Sequence, residues 1–360
     1  MAKISIIGSD GFFASYGGWD QLIINLILKS PTEHSFLITH PENTPIQYTI
    51  SNLSIKKSFL KGSGFQGLLL DFQSILNSIL KVDTFLLLGT KSYPFMLILQ
   101  KVIFWKKLRV IINTAGIEWE RPQFSRFAKA YLKFSYLLSL RFADYIILDN
   151  DFYIERLKKE FNFLPKNFSV IPYGGTINFD LKITESLKIG HPFLNKNYFL
   201  SISRSIEDNY IEELCESFAE SGHILVLISN LSNSKYGLKI MEKFSSFKNI
   251  FLIDGLYDKR LLDLIRRRSY AYIHTHTLCG SAPSLIEMII CNKPIISIDV
   301  PQNRCTLKNQ AIFFKDYSNL QNNIELVLDN YSIAMPKRDL IDYYKWDNII
   351  QEYSQTFNSR

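Results

Sequence analysis

The stretch "HTHTLCGSAPSLIEMIICNKPIIS", residues 274–297, gathers more groups capable of chemistry than any other part of the chain. An apolar run ends in small and polar residues and then opens an apolar helix. Two registers fit it. With Ser284 as N-cap, Ser284-x-x-Glu287 is a capping box that ties off the helix's own amides. With Pro283 at the first helical position, Ala282 becomes the N-cap, and an alanine has no side chain to accept those amides. The helix end is then left for an anion, and Glu287 lies one turn in, within reach of a ribose hydroxyl. Spacing alone leaves both open. His274 and His276 precede this loop and are expected on opposite sides of the strand end, His276 toward a ligand and His274 toward the core. Such a pair is a poor set of metal ligands.

Two further loops carry candidate groups. In "SISRSIEDNYIEEL", Arg204 follows an apolar run directly. Its guanidinium would stand at the carboxyl end of a strand, where a rigid fork can grip a diphosphate. The loop "GSDGFFASYGGWDQL" lacks the G-x-G-x-x-G dinucleotide fingerprint. Gly8 and Gly11 say little, but Gly17-Gly18 before a helix would let a backbone or a phosphate come close. A plain turn would look the same.

Those loops need strands and helices to hold them. Strands are expected at 3–8, 35–40, 84–89, 108–113, 143–149 and 168–172, with helices near 18–29, 66–81, 92–105, 123–141 and 152–161. A second series gives strands at 198–202, 223–229, 250–254, 270–275 and 294–299, with helices near 207–220, 235–246, 258–268, 283–291 and 318–329. The alternation predicts an α/β protein with mostly parallel sheets. Gly, Pro, Asn and Lys crowd the junction after residue 172, so two Rossmann-like domains are expected, 1–175 and 176–335. A helix over 336–360 would return to the first.

Composition limits the classes of function. With 360 residues, 47% hydrophobic and 21% charged, the chain is globular and long enough for two cores. Its four cysteines show no C-x-x-C pairing and no zinc-like spacing with His, so reduced thiols and no metal are expected. Met1-Ala2-Lys3 runs straight into strand-like residues, so no secretory leader is expected. The apolar stretch 84–105 is broken by Lys91, Pro94 and Lys101 and does not read as a membrane span. Net charge is +7, and "RPQFSRFAKAYLKFSYLLSLRF", residues 121–142, has five bases and no acid. A helix of that kind either lies on an anionic membrane or packs on a sheet with a solvated basic face. No nucleic-acid signature accompanies the charge.

In order and spacing, these segments resemble glycosyltransferase family 4, the retaining GT-B enzymes. The nearest branch is that of bacterial rhamnosyltransferases of surface-polysaccharide assembly. The resemblance is carried by "IGSDGFFASYGGWDQL", "NTAGIEWERPQF", "RSIEDN", "YAYIHTHTLCGSAPSLIEMI", "DVPQNR" and the terminal "YYKWDNIIQEY". It implies a GT-B fold and retaining transfer of a hexose or deoxyhexose, rhamnose first. The donor would be a nucleotide diphosphate sugar, and the acceptor a polyprenyl-diphosphate-linked saccharide on the way to O-antigen or capsule. No cofactor or metal is implied, and the expected place is peripheral, at the cytoplasmic face of the inner membrane. Residue by residue, it implies that Arg204, Glu287 and His276 carry catalysis. Gly17, Gly18, Asn209, Cys279, Gly280, Ser281, Ala282, Pro283 and Ser284 would join Arg204 and Glu287 in holding the donor. Glu118, Trp119 and Arg121 would lie on the acceptor side. Cys279 stands where the broad family has a first Glu, Asn209 where many members have Lys, and Ala115 and Ala282 where the branch has Asp and Asn. A non-catalytic nucleotide-sugar-binding partner of another transferase, or a sugar-nucleotide epimerase, would share these features.

Overall fold

The computed structural model describes residues 2–8, 18–31, 33–41, 50–60, 64–121 and 124–358. Its contacts divide the chain into two units, Met1–Tyr173 with Trp346–Arg360, and Gly174–Lys345.

The first unit runs β1 (Lys3–Ile7), α1 (Gly18–Lys29), β2 (Ser35–Pro41), β3 (Leu53–Ser58), α2 (Gly64–Ser78), β4 (Thr84–Leu88), α3 (Tyr93–Val102), β5 (Arg109–Asn113), α4 (Arg126–Phe142), β6 (Tyr145–Leu148), α5 (Phe152–Phe161) and β7 (Phe168–Val170). The strands form one parallel sheet in the order β3-β2-β1-β4-β5-β6-β7. Its central strand β4, Thr84–Leu88, is buried along its whole length, and β1 and β5 are buried but for their first residue, as in a parallel sheet covered on both faces. Ile75, Tyr93, Met96, Tyr136, Leu140 and Leu157 bring α2 to α5 onto one face in a shared core.

The second unit runs α6 (Glu185–Gly190), β8 (Phe199–Ile202), α7 (Ile211–Ala219), β9 (Leu225–Ser229), α8 (Lys235–Phe244), β10 (Ile250–Asp254), α9 (Lys259–Arg268), β11 (Ala271–His274), α10 (Pro283–Ile290), β12 (Ile295–Ile298), α11 (Pro301–Leu307), β13 (Ile312–Phe314), α12 (Leu320–Asp329) and α13 (Arg338–Tyr343). Its sheet is also parallel, in the order β10-β9-β8-β11-β12-β13.

Both sheets reverse direction once, between β1 and β4 and between β8 and β11. Open α/β sheets bind ligands outside the carboxyl ends of the strands at such a reversal. Gly8 ends β1 there with φ +101°, and a Cβ on it would meet the Leu88 carbonyl oxygen at 2.3 Å. Only glycine fits that close approach of β1 to β4.

Every strand expected from the sequence is present, and two more appear. β3 and β13 are edge strands. β3 is only half-buried and carries two lysines, and β13 has three residues, so neither gives the apolar run that marks a central strand.

The C-terminal segment differs from the single helix expected over 336–360. It forms α13 in the second unit and α14 (Trp346–Asn358) in the first. Between them Tyr344 and Lys345 are held by the chain near Gly175, whose N–H donates to the Tyr344 carbonyl at 2.8 Å. The buried Tyr344 hydroxyl also donates to the Thr306 carbonyl at 2.8 Å. These bonds pin the backbone and interrupt the helix. Within the first unit, α14 packs beside α1, whose Lys29 donates to Asp347 of α14 at 2.6 Å.

Candidate functional site

The second unit's reversal places the loops 203–210, after β8, and 275–282, after β11, side by side. Two bonds join them: Thr275 Oγ1 donates to the Asn209 carbonyl at 2.6 Å and Thr277 Oγ1 to the Asp208 carbonyl at 3.1 Å; the strands before them are joined by Tyr272 Oη and the Ile202 carbonyl at 3.2 Å. Gln302 and Asn303 of α11 hold the second loop from behind through the Thr277 and His276 carbonyls, at 2.5 and 3.0 Å. The sequence candidates Arg204, Asn209 and 279–284 therefore converge on one place.

Their individual roles differ. Arg204 is exposed, and among the described residues no carboxylate lies within ion-pair distance of it. Asn209 is 3% exposed and its side-chain amide donates to the Arg204 carbonyl at 2.8 Å. It shapes the backbone that carries Arg204, although the sequence suggested a residue turned to the ligand.

The helix register is settled by α10 itself. Ala282 is the N-cap, without a side-chain bond, and Pro283 is the first helical residue. The Leu285 and Ile286 amides both bond the Ala282 carbonyl, at 3.0 and 3.1 Å. The Ser284 amide has no carbonyl one turn behind it. The capping box is therefore not formed, and Ser284 Oγ instead meets the Tyr272 hydroxyl at 3.1 Å. Gly280, Ser281 and Ala282 are buried in the loop, and Cys279 is half-buried and in no disulfide.

Glu287 is engaged by two cations. Arg266 donates to its Oε2, and Lys259 Nζ lies 3.3 Å from Oε1. Arg266, with its side chain 3% exposed, also donates to Asp263 Oδ1 at 2.7 Å, and Lys259 approaches Asp263 Oδ2 at 3.3 Å. Asp263 is fully buried and accepts the Asn178 amide at 2.9 Å as well. Burial opposes the charge on Arg266, yet Glu287 and Asp263 outweigh it and raise its pKa. This four-member network was missed in the sequence. A signal was available: Lys259, Asp263 and Arg266 recur at i, i+4 and i+7, one face of α9. Beside the network, Thr176, Asn178, Phe179, Asp180, Lys259 and Arg260 line a cavity of about 460 Å³.

The histidine pair corrects the sequence reading. Their ring centroids lie 4.5 Å apart and both are buried, at 0% and 8% exposure. Strand side chains alternate with period two, so i and i+2 share a face and cannot part. Burial, then the charge of the neighbouring Arg204, holds the His276 pKa down to about 3, while burial and His276 hold His274 well below 6.5. Below pH 6.5 the unfolded chain takes up protons that the folded pair refuses. Stability present above pH 6.5 is thus lost as pH falls, at up to about 1.4 kcal/mol per pH unit and histidine. Melting curves taken between neutral pH and about pH 5 are expected to shift down, and His274→Asn to flatten that shift. An unchanged slope in the variant would contradict it.

In the first unit, Gly17 lies outside the described residues and Gly18 is the first residue of α1. Ala115, just past β5, takes a left-handed φ of +55°, held by its amide on Asn113 Oδ1 at 3.0 Å. Glu118 and Arg121 pair with each other at 3.5 Å. Trp119 packs edge-on against Tyr136 of α4 with centroids 4.8 Å apart, so most of its face serves the core. No group of three or more metal-ligating side chains occurs among the described residues.

Comparison with known proteins follows this division. A family model described as a domain of unknown function, DUF1972, matches residues 69–176, from within α2 to three residues past the Tyr173 boundary of the first unit. No protein of curated description matches the sequence. Solved structures match over the full length. Sucrose-phosphate synthase from Thermosynechococcus elongatus is similar with a TM-score of 0.78 at 14% identity, over 99% of this chain and 98% of that one. The fold is GT-B. HepE from Anabaena, in complex with UDP-glucose, gives 0.73 at 13% identity over 100% of both chains. The catalytic domain of starch synthase IV from Arabidopsis thaliana, bound to ADP and acarbose, gives 0.71 at 12% over 99% of each. At such identities the likeness carries the GT-B fold, and activity has to be argued from the site.

Proposed function

We propose that the protein is a glycosyltransferase that takes its sugar from a nucleotide diphosphate donor. The observation that carries this is Arg204: an exposed guanidinium without an ion-pair partner among the described residues, at a strand end beside the uncapped start of α10. Both groups favour a diphosphate. That HepE was solved with UDP-glucose and starch synthase IV with ADP supports the same class of ligand.

The donor diphosphate lies against Arg204 and the backbone N–H groups of Ser281, Ala282 and Ser284, Pro283 having none, and Glu287 Oε1 accepts a ribose hydroxyl. The acceptor hydroxyl oxygen bonds to the anomeric carbon from the side on which the nucleotide leaves, so configuration is retained. The bond from that carbon to the β-phosphate oxygen breaks, and the same phosphate takes the acceptor's proton. No protein nucleophile and no metal is required. Arg204 and the helix end stabilise the charge that develops on the diphosphate. His276 stays neutral beside them and fixes the loop. The leading donor sugar is rhamnose. The acceptor is a polyprenyl-diphosphate-linked saccharide met by the Glu118–Arg121 side, in O-antigen or capsule synthesis at the cytoplasmic face of the inner membrane.

Cys279, in place of a carboxylate, supports a second reading, a partner that binds the nucleotide sugar without turning it over. A screen of uridine, thymidine and guanosine diphosphate sugars with a synthetic diphospho-lipid acceptor and a chelator separates the two. Product formed with the chelator present is the expected result. Tight nucleotide binding without product supports the partner, and no nucleotide binding at all removes both.

A further inference from the structure

The outer face of the first unit carries groups that its core does not use. α3 and α4 pack side by side on one face of the sheet, and their inward sides supply Tyr93, Met96, Tyr136 and Leu140 to the core. Their outward sides are not polar. On α4, Phe127 and Phe134 are 91% and 55% exposed and lie on one stripe, opposite the buried Tyr136. On α3, Ile98 and Val102 are exposed in the same way, and the turn that follows presents Phe104 and Trp105, 82% and 69% exposed.

Along α3, the turn after it and α4 themselves, the charge has one sign; Glu118 and Glu120 stand between the two stretches and pair with Arg121 and Arg156, and Asp71 pairs with Lys91. Between Thr84 and Ile117 the chain has Lys91, Lys101, Lys106, Lys107 and Arg109 and no acid; between Arg121 and Ala143 it has five more bases and again no acid. Lys101 and Lys107 flank the Phe104–Trp105 tip, and Arg126 and Lys133 flank the α4 stripe, all four exposed. One side of this helix packs on the sheet, and the other is more apolar than a solvated face needs to be.

We infer that this face docks the protein on an anionic lipid bilayer, with Phe104 and Trp105 entering the headgroup boundary. A protein partner could cover apolar area, but nothing about one would call for bases alone around aromatic tips. An anionic interface answers both features, because aromatic rings settle at headgroup level while lysine and arginine meet the phosphates. No helix among the described residues is long and apolar enough to cross a membrane, which agrees with docking on its surface. The inference rests on the proposed function only in giving the lipid-borne acceptor a place; the face itself can be tested without any sugar.

The test uses the full chain and two variants, Phe104→Ser with Trp105→Ser, and Arg126→Glu with Lys133→Glu. Binding is read by sedimentation with vesicles of phosphatidylcholine alone or mixed with phosphatidylglycerol. The unaltered chain is expected to bind the mixed vesicles, more weakly as salt rises, with its tryptophan emission moving to shorter wavelength. Each variant is expected to bind at least about tenfold more weakly, while transfer to a short water-soluble acceptor is kept. Equal vesicle binding by chain and variants would overturn the assignment of this face. So would no binding by the unaltered chain, or a concentration-dependent self-association that the Ser variant abolishes. Failure of the transferase reading would appear separately, as vesicle binding without transfer.

Discussion

Arg204→Ala is expected to lower sugar transfer by about a hundred- to a thousandfold while leaving the melting temperature unchanged. The size follows from the place of the charge. During transfer, negative charge grows on the departing diphosphate, and removing one fixed donor to such a charge costs about 2.7–4 kcal/mol of barrier. The unchanged stability follows from exposure and from the lack of an ion-pair partner among the described residues, since no buried group there is left uncompensated. Because the interaction strengthens as charge develops, kcat is expected to fall more than affinity for the donor. Arg204→Lys keeps a charge but not the planar fork, so it is expected to recover only part of the loss. Full kcat/KM in Arg204→Ala with the accepted donor would remove Arg204 from the site and with it the observation on which the proposed function rests.

The fold was legible in the sequence, and what was not legible there has a common cause. The α/β alternation and both Rossmann-like units followed from apolar runs, because central parallel strands are buried on two faces and give an unbroken signal. Arg204 and the 279–284 loop were found for the same reason: each follows such a run. Pro283 favoured the register that α10 adopts, yet only the backbone could decide it, since Ser284 fits a cap equally well by spacing. The histidine pair was read wrongly although the rule was at hand, because period two puts 274 and 276 on one face. Asn209 was placed among donor-binding residues, and Trp119 on the acceptor side, only by the family resemblance. Asn209 instead binds the Arg204 carbonyl, and Trp119 packs on Tyr136. The network around Glu287 joins residues 21 and 28 positions apart through tertiary contact. No local pattern could pair them, even though the charged stripe on α9 was in view.

That network supplies the largest expected effect on stability. Arg266→Met is expected to destabilise the second unit by about 3–5 kcal/mol, the range for breaking a buried ion pair from one side. Its guanidinium is the contact shared by two carboxylates, Asp263 and Glu287, and Asp263 has no exposed surface. Lys259 approaches both carboxylates only at 3.3 Å and is 39% exposed, so it replaces little of what is lost. The double variant Asp263→Asn with Arg266→Met leaves Lys259 and Glu287 as one charge-balanced pair. It is therefore expected to regain at least half of the loss, a coupling that two independent sites would not show. Melting curves of the single and double variants on the full chain decide it; additive losses would mean that the two charges do not compensate each other. The same arrangement changes how Glu287 must be tested. Glu287→Ala leaves Arg266 with half its compensation, so lost activity in that variant would mix ligand binding with lost structure. Glu287→Gln keeps an oxygen for the Arg266 hydrogen bond and removes only the charge. A donor with 2′-deoxyribose should then bind the unaltered chain and Glu287→Gln almost alike, whereas the normal donor should bind the variant more weakly. If both donors lose the same affinity, Glu287 acts through α10 and not through the ribose.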